Sequence, residues 1–150
     1  MAADSIGYRV THVLGVFSGD RDAPHRRTLR ERTLLRHLWC MVEDNLDILE
    51  HADPGEILHP YKCGTWYQAE PDGQEDWLDI LCVNDEARKG RGADCEDLAA
   101  YLAAWYIFHG IAAYPVFVWR YLPDGGTLYH IVVQLPDGSI EDPSKHLGMG

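Results

Sequence analysis

Apolar residues recur at helical spacing in two stretches of the chain, and at strand spacing behind the second. That order predicts an α+β fold in which a helix packs on an antiparallel β-meander, with an additional N-terminal helix. From Thr28 to about Glu50, Leu35, Leu38, Val42 and Leu49 form a stripe that Leu34, Met41 and Leu46 widen. From Cys95 to His109, Leu98, Leu102 and Trp105 form another, and Ala99, Ala103 and Ala104 permit close approach. Two strand-like runs and a short third follow, separated by Pro123-Asp-Gly-Gly126 and Pro136-Asp-Gly138. A chain of 150 residues buries about two thirds of its unfolded surface, so a single domain over 1–150 is expected, with no need of disulfides or a structural metal.

Residues 1–27 read as an early strand over 8–17 and a loop from Ser18 to His25, or as an arm that orders against a partner. The helix at 28–51 ends at His51-Ala-Asp-Pro54-Gly55. Cys63-Gly-Thr-Trp-Tyr-Gln68 looks extended and Pro71-Asp-Gly73 is a turn. Trp77, Leu78, Ile80 and Leu81 mark a short amphipathic piece, helix or loop. Lys89-Gly90-Arg91-Gly92 breaks what precedes it, and its two glycines free the backbone to aim the next helix. Asp94 suits the N-cap of that helix, with Asp97 at the reciprocal capping position, and Gly110 stops it. Strands are expected over Ala112–Tyr121 and Leu128–Leu135.

Composition narrows the class of function. With 46% hydrophobic and 25% charged residues the chain has the balance of a globular protein. A net charge of −11 argues against a phosphate-binding surface, so no nucleic-acid partner is expected. The basic cluster Arg26, Arg27, Arg30, Arg32 and Arg36, with Glu31 interleaved, reads as a solvated helix face. No apolar run approaches the roughly 20 residues a membrane helix requires, and no basic segment leads into an apolar one. The expectation is a protein of a cytosol or a soluble assembly, with no membrane partner. The cysteines at 40, 63, 82 and 95 lack paired spacing and are expected to be reduced. Cys63, Cys82, His51 and His59 lack zinc-ligand spacing, so neither a metal nor a cofactor is expected.

Chemistry concentrates in three residues. Cys95 falls at the first helical position behind Asp94, where unpaired backbone N–H groups and the helix dipole favour an anion. Asp94, Glu96 and Asp97 oppose that by like charge, so a thiolate there needs an imidazolium beside it. His130 lies in the strand Tyr129–Val133, and Asp142 follows the tight turn after it, so a hairpin brings them together if they share a face. Thiol, base and orienting carboxylate are the parts of a nucleophilic acyl transfer. Singly, each has a plain structural reading: a packed cysteine, a satisfied strand histidine, an aspartate starting a turn. The backbone N–H of Cys95 is the first candidate oxyanion donor and a side chain of Trp66, Tyr67 or Gln68 the second, although those three also read as an aromatic strand packed on the core.

The run Gly92-Ala-Asp-Cys95-Glu-Asp-Leu-Ala-Ala, the Gly110-Ile-Ala-Ala after the helix, His130-Ile-Val-Val-Gln, and Asp-Gly-Ser-Ile-Glu-Asp142-Pro together resemble the transglutaminase-like core. That superfamily is related in arrangement to papain-like cysteine proteases. The resemblance covers about the last 60 residues, 92–144 forming the catalytic core. It implies Cys95 as nucleophile, His130 as general base and Asp142 as orienting acid. Trp-Tyr-Gln, Trp77-Leu-Asp-Ile and Asp142-Pro-Ser-Lys-His-Leu-Gly-Met are also similar to transglutaminase-like proteins encoded among bacteriophage and prophage structural genes. This chain has Ile131-Val132-Val133 where many members follow the histidine with Ala-Trp and a carboxylate. It has Ile140 and Glu141 where they often place Trp.

The resemblance implies a cysteine hydrolase or acyltransferase, of peptidase, amidase or transglutaminase type, acting on an amide or isopeptide bond of a protein or peptide. Its setting would be the bacterial host cytoplasm or a phage particle. The rival expectation is a non-catalytic module that keeps the fold and binds neighbouring phage structural proteins.

Overall fold

In this computed structural model, which describes residues 9–13, 24–70, 74–121, 123 and 127–150, the chain is mixed α+β. It runs β1 (Arg9–Val13), α1 (Pro24–His51), β2 (Gln74–Leu78), α2 (Ile80–Arg88), α3 (Cys95–Phe108), β3 (Tyr114–Tyr121), β4 (Thr127–Gln134), β5 (Ile140–Glu141) and α4 (Pro143–His146). Strands β3, β4 and β5 form an antiparallel meander in that order, and β1 pairs with β2 in a separate antiparallel ribbon. The expected turns at 71–73 and 124–126, residues 1–8 and most of the expected loop at 18–25 lie outside the described residues.

Helix α1 begins at Pro24, four residues ahead of the expected Thr28. Proline suits a first helical position, because its φ is already helical and its missing N–H is one the helix would leave unpaired. Its buried stripe is Leu34, Leu38, Met41, Val42 and Leu49. The polar residue inside that stripe is Asn45, fully buried, whose Oδ1 accepts a hydrogen bond from the Ile80 backbone N–H at 2.9 Å. Arg32 and Arg36 are exposed, as a solvated face requires.

The apolar piece Trp77–Leu81 is neither a single helix nor a loop. Trp77 and Leu78 end β2, Asp79 caps α2 by accepting from the Cys82 N–H, and Ile80 and Leu81 open the helix. Four apolar residues in five positions fit neither period because they belong to two elements. Cys63–Gln68 is not a strand either; it forms one parallel bridge, Tyr67 with Ala93.

Helix α3 is the centre of the fold. Every residue from Cys95 to Ala104 is buried, because α1, α2, α4 and strands β2, β3 and β4 all pack on it. A helix surrounded in this way needs apolar or small residues on most of its faces, which the alanines at 99, 100, 103 and 104 supply, while Glu96 and Asp97 are buried in its first turn. It ends at Phe108, with His109 as cap and Gly110 at φ +84°, a conformation that suits a residue without a Cβ. Along β4 the side chains alternate: Ile131 and Val133 join the core with Tyr129 packed beside them, and His130 is turned the other way.

Candidate active site

The loop before α3 is held by a strap from residues 66–68. The Ala93 N–H donates to the Trp66 carbonyl at 2.9 Å, the Gln68 N–H donates to the Ala93 carbonyl at 2.8 Å, and the Gly92 N–H donates to Gln68 Oε1 at 2.7 Å. The approach is close enough that a Cβ on Gly92 would lie 2.6 Å from the Trp66 carbonyl oxygen. At the other side of the strap the Tyr67 N–H donates to the Leu147 carbonyl at 2.9 Å, just beyond α4. The strap therefore touches both the segment that leads into Cys95 and the segment that follows Asp142. Trp66 and Gln68 are exposed and only Tyr67 packs on the core, so the expected aromatic core strand is not what forms.

Cys95 is the first residue of α3, and the expected capping box joins Asp94 and Asp97. The Asp94 N–H donates to Asp97 Oδ2 at 3.3 Å, and Asp97 Oδ1 accepts from the Leu78 N–H at 2.7 Å. Asp97 thus fastens the end of β2 to the start of the helix. Burial pushes its carboxyl well above the usual range, and the neighbouring Asp94 charge adds to the rise.

His130 Nε2 lies 2.8 Å from Asp142 Oδ2. Asp142, expected on a strand joined by a turn to that of His130, instead lies one residue past β5, where it caps α4: its Oδ1 accepts from the Lys145 N–H at 3.1 Å. One carboxylate therefore does both things the sequence suggested as alternatives, starting a turn and orienting an imidazole. The face question is decided by register. Val133 pairs with Glu141, so Glu141 falls on the face of Val133 and the next residue on the face of His130.

The geometry joins His130 to Asp142 directly, and Cys95 begins the helix on which strand β4 packs. Tyr67 lies within the field of Cys95, Asp94 and Asp142, and burial first, then these charges, raise its phenol above the ordinary value. Strand β4 passes the first turn of α3, where the Tyr129 hydroxyl donates to Glu96 Oε1 at 2.8 Å. Glu96 follows Cys95 and Tyr129 precedes His130. Cys95 itself is 9% exposed. None of the four cysteines is joined in a disulfide.

Sequence reasoning missed one convergence of donor atoms. Among the described residues, oxygens of Glu70, Asp94 and Asp97 lie within 4.8 Å of one another. Backbone N–H groups already occupy part of this set, with Asp76 donating to Glu70 Oε2 and Leu78 and Asp94 to Asp97. No sequence signal marks it, because Glu70 reaches the other two only through the strap. Cys63, Cys82, His51 and His59 form no such group among the described residues, and Cys63 instead donates to the Pro60 carbonyl.

Nothing matches this chain in comparisons with protein-family models, curated proteins and solved structures. Among the described residues no helix is long and apolar enough to cross a membrane.

Proposed function

We propose that the chain is a thiol-dependent acyl-transfer enzyme on a transglutaminase-like core, acting on an amide or isopeptide bond of a protein or peptide. The observation that carries this is the 2.8 Å contact of His130 Nε2 with Asp142 Oδ2, made from a strand that packs on the helix whose first residue is Cys95. An imidazole held by a carboxylate through Nε2 presents Nδ1 for proton transfer. In the proposed reaction His130 Nδ1 takes the Cys95 proton, the sulfur attacks the substrate carbonyl carbon, and a tetrahedral oxyanion forms. The imidazolium then gives its proton to the leaving nitrogen as the C–N bond breaks, leaving a thioester on Cys95. Water or a second amine attacks the thioester, His130 takes the proton of that nucleophile, and the proton returns to the departing sulfur. The backbone N–H of Cys95 is the first donor to the oxyanion. Tyr67 is the second, since a phenol raised above its ordinary value stays protonated.

The small exposure of Cys95, 9%, favours a second reading, a binding module that keeps the fold without using the thiol. One experiment separates the two. Each cysteine is alkylated with iodoacetamide across a range of pH in the native protein and in His130→Ala, and the products are read by mass spectrometry. Acyl transfer requires Cys95 to outpace Cys40, Cys63 and Cys82 below neutral pH and to lose that lead in His130→Ala. A Cys95 that reacts as a buried thiol, with or without His130, supports the binding module.

A further inference from the structure

Glu141 stands between two phenols. Its Oε1 accepts from the Tyr61 hydroxyl at 2.7 Å, and its Oε2 accepts from the Tyr106 hydroxyl. The two donors come from different parts of the fold, Tyr61 from the loop after α1 and Tyr106 from α3. Tyr61 also stacks on His146, with ring centroids 3.7 Å apart, and His146 ends the short helix that Asp142 caps. Two elements therefore close on one carboxylate, the chain neighbour of Asp142, and α4 packs on one of the two donors. Burial and the Glu141 carboxylate together raise both phenols, Tyr106 to about 12, so both remain donors through the neutral range.

Strand β5 is two residues long and, among the described residues, pairs with β4 alone. So short a strand has little pairing of its own to set the path of the chain that leaves it. Packing would be served as well by an apolar side chain at position 141 and would avoid the desolvation of a carboxylate and two hydroxyls. What a carboxylate with two directed donors adds is a fixed orientation, and the residue whose direction it fixes is the next one.

We infer that Glu141 is a positioning residue: held by Tyr61 and Tyr106, it aims the Asp142 carboxylate at His130. The inference rests on the acyl-transfer proposal for its purpose, but not for its test. The full chain is prepared with labelled histidine as the native protein, Glu141→Ala and Glu141→Gln, with folding checked by circular dichroism. The ring N–H of His130 bonded to Asp142 is then observed by nitrogen-15 NMR. The expected result is a slowly exchanging Nε2–H signal in the native protein, its loss in Glu141→Ala, and its retention in Glu141→Gln, whose amide oxygen still accepts from a phenol. An unchanged signal in Glu141→Ala overturns the inference. Should Glu141→Ala not fold, Tyr106→Phe removes one donor and keeps the ring. The signal must then exchange faster, and an unchanged exchange rate likewise overturns the inference. The ring proton is read without any thiol chemistry. A Cys95 indifferent to His130 sinks acyl transfer and leaves the Glu141 result standing, whereas an intact signal beside a His130-dependent thiol sinks only the positioning role.

Discussion

His130 and Asp142 are twelve residues apart in sequence and 2.8 Å apart at Nε2 and Oδ2, while the other oxygen of Asp142 caps α4. The two oxygens can be separated by substitution. Asp142→Asn keeps an oxygen for the cap and removes the charge. It is expected to stay within a few tenths of a kcal/mol of native stability and to lose acyl transfer by a factor on the order of 10⁴. Asp142→Ala loses the cap as well, about 1 kcal/mol more. Urea denaturation and turnover measured on both variants check this; equal stabilities would contradict the capping role.

Glu96 is 2% exposed, and one of its oxygens, Oε2, is buried with no hydrogen-bond partner among the described residues. Tyr129→Phe removes the donor to the other and is expected to cost about 1–3 kcal/mol. Combining it with Glu96→Leu should recover most of that loss, since an apolar pair leaves no acceptor unmet. Denaturation midpoints of the single and double variants form the cycle, and a double variant weaker than Tyr129→Phe alone would refute it.

The raised carboxyl of Asp97 makes stability depend on pH in a fixed direction. Folding favours its protonated form, so its contribution is fully present below the unfolded value, 3.8, and is lost as pH rises through the folded one. Native melting temperature should therefore fall as pH climbs from about 4. Asp97→Asn still accepts from the Leu78 N–H and should flatten the slope. Asp79, raised chiefly by burial, has the same sign and keeps part of it. Parallel melting curves against pH, identical for the two proteins, would exclude Asp97 as the source.

Gly92→Ala places a methyl 2.6 Å from the Trp66 carbonyl oxygen and 2.7 Å from Gln68 Cβ. The strap has to retreat, and about 1–3 kcal/mol is expected to be lost. Amide exchange reports where the change falls: the N–H groups of Tyr67, Gln68 and Ala93 should lose protection first, and uniform loss across the chain would point elsewhere.

What was legible in the sequence was what short-range pattern encodes. The cap at Asp94, the helix from Cys95, the meander and the pairing of His130 with a carboxylate after the next turn each follow from spacing over a few residues. The junction at Asp79 was hidden because two elements of different period abut with one residue between them. Asn45, Glu70 and Glu141 were hidden for another reason: their partners are 35 or more residues away, or reach them across the strap, and no local composition announces such a meeting. Tyr67 was visible as a candidate donor, but only its packing on the core and its bond to Leu147 distinguish it from Trp66 and Gln68.

Tyr67 takes its backbone partner from Leu147, and Glu141 takes a hydroxyl from Tyr61, 80 residues earlier. During synthesis the cysteine emerges from the ribosome well before the imidazole, and the carboxylate that orients the imidazole comes later still. The strap's bond to Leu147 cannot form until residue 147 is in place. The bond between His130 and Asp142, and the strap's hold on the segment after α4, therefore form only once these later residues have been made.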